Sequence, residues 1–134
     1  MSGKDRFVDY GVIRLNRPLG DRTLGWFHLS DWYSGSSASY YCRINGYTPE
    51  YNSRKVQLYG TSNLLSSWRH PMTWVAGDKL RPIGGLSGSP AWFSDGRSYR
   101  IVGIYTFGWL DNVHGVKLTR TARIEIQNWI AQNP

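Results

Sequence analysis

Apolar and polar residues alternate along this chain in short runs, each closed by glycine, proline or asparagine. "FVDYGVIRL" (7–15) carries Val12, Ile13 and Leu15 and predicts a strand, which "NRPLGD" (16–21) breaks. "TLGWFHL" (23–29) and "YYCRINGY" (40–47) predict two more, separated by a loop of small residues at 31–39. In "SRKVQLYGTS" (53–62), Lys55, Gln57 and Tyr59 alternate with Val56 and Leu58, the period of a half-buried strand. "PMTWVAGDKLRP" (71–82) reads as a strand, a turn at Gly77-Asp78 and a second short strand. "SPAWFSDGRSYRIVGIYTF" (89–107) is the clearest hairpin, with Asp95-Gly96 supplying a pair that tolerates positive φ. "VHGVKLT" (113–119) is one more strand. The period changes at the end: Ala122, Ile126, Trp129 and Ile130 fall on one face of a helix. Thr119 or Thr121 is placed to cap its start, and Asn133-Pro134 ends it.

The expectation is roughly eight short strands, then one helix. Strands joined by short turns, with no interleaved helices, argue an all-β antiparallel barrel or sandwich with a C-terminal α-helix. A length of 134 residues suits one domain with a real core. The 40% hydrophobic and 15% aromatic content excludes a disordered chain. No apolar run approaches a membrane span, and the first residues carry no secretory signal. Cys42 is the single cysteine, so no internal disulfide is expected; in "YYCRI" it reads as a buried thiol. The net charge of +7 comes from residues spread singly, which reads as a solvated basic surface. A nucleic-acid surface would need stacking platforms flanked by Lys or Arg. "SWRH" and "SYRI" set Arg beside aromatics without a clustered motif, so no nucleic-acid partner is expected.

The candidate chemistry sits in "RPIGGLSGSPAWF" (81–93). A serine hydroxyl needs a base to take its proton and donors to hold the oxyanion. Glycines on either side of Ser87 let the backbone approach a substrate and leave N–H groups free to face it. A glycine-rich turn before a strand explains the heptapeptide equally well. A phosphate cradle fits less well, because such loops run into a helix N-terminus and this one runs into "PAWF".

The segment resembles the nucleophile loop of the trypsin-like serine proteases, and most nearly the bacterial glutamyl endopeptidase (V8-like) branch. Other pieces follow in the family's order: "DYGVIRLNRPLG" (9–20) is similar to the segment bearing the triad acid, and "INGYTP" (44–49) to a strand end of that branch. "RIVGIYTFGW" (100–109) and "VHGVKLT" (113–119) resemble the two walls of the specificity pocket, and the closing helix matches as well. The resemblance implies the second barrel of a two-barrel fold. Residues 1–20 would end the first barrel and connect the two, 21–118 would form the barrel and 119–132 the helix.

It further implies a serine endopeptidase with Ser87 as nucleophile and Asp9 as triad acid. The backbone N–H groups of Gly85 and Ser87 would form the oxyanion hole. Arg81, Tyr105, His114 and Gly115 are the candidate pocket residues. No metal or cofactor is implied. The partner would be a peptide or protein substrate, and the compartment extracellular or periplasmic. The triad base is not in view, because the family's His precedes the Asp and none of His28, His70 and His114 does. The expectation is therefore the C-terminal part of a protease, inactive by itself, whose base lies on a His-bearing barrel in the same or a separate chain. The alternative is a protease-like fold serving as an inactive binding or scaffold module. Leu86 stands where the family has Asp or Asn. Tyr105 stands where the glutamyl-specific branch has a His, so specificity for Glu does not carry over. Arg81 would favour an acidic side chain if it lined the pocket base, and otherwise faces solvent.

Overall fold

The computed structural model describes residues 10–17, 20, 25–32, 39–48, 57–67, 72–77, 80–109 and 112–134. Among these run β1 (Phe27–Leu29), β2 (Ser39–Tyr47), β3 (Gln57–Ser66), β4 (Thr73–Ala76), β5 (Pro90–Ser94), β6 (Tyr99–Trp109), β7 (Asn112–Lys117) and α1 (Arg120–Gln132). Six strands close an antiparallel barrel in the order β6-β5-β2-β3-β4-β7, with β7 returning to β6. β1 lies outside it, parallel to the start of β6. One edge of β6 serves two partners: β1 along Tyr99–Ile101 and β7 from Gly103 onward.

The hairpin predicted at 89–107 forms, with the Asp95 carboxylate accepting from the amides of Arg97 and Ser98 and pairing with Arg100. Gly96 takes φ +84° there. β2 alternates as its sequence predicts: Cys42 and Ile44 point into the core, Tyr41 and Arg43 outward. The barrel interior is built around Trp74, which is fully buried. Its indole N–H donates to Val116 O at 3.1 Å, and its ring is pressed between Gly103 and Gly115. On the outside, Tyr99 meets Phe27 and Trp92 edge to face, Phe27 lies tilted on Trp92, and the Arg43 guanidinium lies 5.1 Å from the Trp92 ring centre.

Three expected elements differ. Residues 10–15 form no strand; they cross α1, where Tyr10 donates to Glu125 at 2.5 Å and packs on Trp129. In the second short strand expected before Pro82, the described residues 80–82 are not strand. Pro82 has no N–H to give a ladder. Of the strand expected at 53–62, residues 53–56 lie outside the described residues; β3 continues past 62 to Ser66, because its partner β4 holds Leu64–Ser66. The helix starts at the Thr119 cap, whose Oγ1 accepts from Ala122 N–H, and ends at Asn133. Ala122 and Ile126 are buried, while Ile130 remains half exposed beside Val12 and Ile13. No helix among the described residues is long and apolar enough to cross a membrane.

Candidate active site

Two consecutive reverse turns present Ser87. Leu86 N–H bonds to Ile83 O and Ser89 N–H to Leu86 O, each closing a four-residue turn. The third position of each turn is a glycine with positive φ, Gly85 at +90° and Gly88 at +89°. A side chain at either position would be strained, which is why the loop is written with glycine. The loop is tied down on one side by Gly88 N–H to Tyr105 O and by Tyr105 N–H to Ser89 O. Underneath, Ser89 and Leu86 fill the space where Gly46 of β2 has no side chain.

Ser87 is exposed at the top of this construction. Its hydroxyl donates to the carbonyl of Thr106 at 3.0 Å. That carbonyl is available because β6 bulges between Tyr105 and Phe107, slipping Thr106 out of register with β7. The exposed amides of Gly85 and Ser87 make no backbone hydrogen bond among the described residues. Beyond the loop, β6 presents an open edge. Its ladder with β5 stops at Pro90–Ile104, while the ladder with β7 on the opposite edge continues to Trp109–Asn112. Ser87 thus stands beside a strand edge that no strand of the described fold covers.

Arg81 and Tyr105 share one cavity, while His114 and Gly115 lie on β7. Asp9 and His70 lie outside the described residues. Arg81 is exposed, and with Ile44, Leu80, Ile83, Leu86 and Tyr105 it lines an apolar cavity of about 110 Å3 under the loop. Tyr105 is buried in the barrel; burial raises its phenol pKa, opposed by a backbone hydrogen bond at Ile83. His114 is buried on β7 and stacks on Phe107, with ring centres 5.1 Å apart and planes 5° from parallel. Gly115 faces the core, where Trp74 and Ile104 O crowd it. His28 is exposed on β1 against Trp26. The Ser87 hydroxyl donates to a carbonyl, so its proton rests on a neutral acceptor. No cluster of three metal-ligating side chains occurs among the described residues.

Thr106 and Pro82 belong to the site's surroundings, and no local sequence signal marks either. Thr106 acts through its carbonyl, which a bulge exposes. Pro82 acts by lying against Gly108, a contact between residues 26 positions apart in the chain. No protein-family model matches the chain, and no curated protein matches it either.

Proposed function

We propose that this chain is the nucleophile-bearing barrel of a trypsin-like serine endopeptidase. Ser87 attacks the peptide carbonyl, and the amides of Gly85 and Ser87 receive the oxyanion. The observation that carries the reading is the exposed Ser87 on a two-glycine loop beside the open edge of β6. An extended peptide adds to such an edge through main-chain hydrogen bonds, which brings a carbonyl to the serine. The base is a histidine on a partner barrel, in the same polypeptide or another, oriented by Asp9. When that imidazole arrives, Ser87 Oγ turns from Thr106 O to it, and the proton gains a basic acceptor.

A second reading, an inert protease-like scaffold, is favoured by one feature: the Ser87 proton is already satisfied by Thr106 O. Fluorophosphonate labelling of the full-length protein as its own cells make it separates the two. The peptidase reading expects labelling that maps to Ser87 and disappears in Ser87→Ala. A folded full-length protein that stays unlabelled, while a trypsin-like control reacts, leaves the scaffold. Reading the frame upstream of Met1 for a His-bearing barrel is the companion observation.

A further inference from the structure

We infer that Pro82 sets the substrate class of this site, restricting the residue that donates the attacked carbonyl to glycine, alanine or serine. The inference rests on the peptidase reading above. Reacting atoms must approach to about 3 Å, so the attacked carbonyl carbon lies beside Ser87 Oγ. The side chain of the same residue starts two bonds from that carbon and needs room next to the loop. Ser87 Oγ is 3.0 Å from Thr106 O, so β6 from Thr106 to Gly108 bounds the room on one side. Residues 82–85, which lead into Ser87 through the Ile83–Leu86 turn, bound it on the other.

These two sides touch. A Cβ built on Gly108 would collide with the Pro82 ring, with Cγ at 2.5 Å and Cα at 3.3 Å. The pyrrolidine therefore rests on the Gly108 backbone and closes the space between the walls at that point. A proline plug cannot swing aside as a leucine or lysine could, because its ring fixes φ and its side chain has no free rotor. The cavity of about 110 Å3 does not replace the missing slot: neither Pro82, Ser87 nor Gly108 lines it. Arg81 lines that cavity, and the residue is exposed. A deep pocket for an aromatic, acidic or basic side chain is at odds with this packing.

The test is cleavage of fluorogenic peptides by the full-length protein, varied only at the residue before the scissile bond. Alanine is expected to exceed phenylalanine, leucine, glutamate and arginine in kcat/KM by on the order of 100-fold, the scale that pocket exclusion reaches. Pro82→Gly should raise the phenylalanine and leucine substrates about tenfold or more and leave alanine within about threefold. Pro82→Ala, which keeps more backbone restraint, should move the ratio in the same direction. Inactivation of the wild-type protein by peptidyl phosphonates carrying alanine or phenylalanine gives the same ratio without any variant. Wild-type preference for phenylalanine, glutamate or arginine overturns the inference alone, as does an unchanged ratio in folded Pro82→Gly. Absence of all cleavage and all phosphonate labelling overturns the peptidase reading and this inference with it.

Discussion

Gly115 has no room for a methyl group. A Cβ there would strike Ile104 O and the Trp74 ring, and backbone oxygen cannot move aside as a flexible side chain can. Gly115→Ala is expected to cost about 3 kcal/mol, the upper part of the usual overpacking range. Gly84→Ala meets nothing within 4 Å and should stay within about 0.5 kcal/mol of wild type. Urea midpoints of the two variants, at constant m, check the pair. A glycine in a sequence announces that the backbone is free or approached, but not by what. The resemblance places Gly115 on a pocket wall, whereas its nearest neighbours are core atoms. The glycines at 85 and 88 were more legible, since a positive-φ turn is a local property and its residue type is local too. The Thr106 carbonyl was not legible, because a bulge depends on the register of two strands.

The element read best from sequence is α1, and it offers a measurable cap. Thr119→Ala removes the side-chain acceptor for Ala122 N–H and should lower stability by about 1 kcal/mol, read as a shift in thermal midpoint. The helix and the 89–107 hairpin were visible because their signals lie within one turn or one dipeptide. The segment at 10–15 was misleading for the opposite reason. Its β-type residues reflect an apolar contact with α1, and no ladder reaches it. Its anchor is sensitive to pH. The Tyr10 phenol donates to Glu125, and burial first, then the Glu125 hydrogen bond and charge, push its pKa up to about 12. A phenol with a raised folded pKa contributes fully below its ordinary value near 10, and that contribution is lost as pH rises through 12. Amide exchange at residues 11–15 should therefore accelerate between those pH values beyond the intrinsic base catalysis, and Tyr10→Phe should abolish the extra step.

At the scale of the whole molecule, the deciding feature is closure. β7 returns to β6 after passing β4, so each barrel strand has two neighbours, and β6 is left open only beyond Ile104, where its ladder with β5 stops. Strand identities followed from alternation in the sequence, but the order β6-β5-β2-β3-β4-β7 did not. Alternation says which face a residue takes, not which strand lies beside it. β3 shows this directly: it runs past the expected end at 62 to Ser66, where Leu64–Ser66 pair with β4. A closed barrel with one core predicts a single cooperative unfolding transition, with fluorescence and circular dichroism midpoints that coincide.

Cys42 is the chain's one thiol, and the barrel removes it from water altogether. Burial pushes its pKa up to about 12, so the reactive thiolate is suppressed at neutral pH in the folded state. The residue thereby becomes a clock for the fold. An alkylating reagent can modify it only while the barrel is open, and the modification rate counts those openings. In dilute urea the opening free energy obtained from this rate should match the global unfolding free energy. A markedly smaller value would reveal that β2 detaches while the rest of the barrel stays shut.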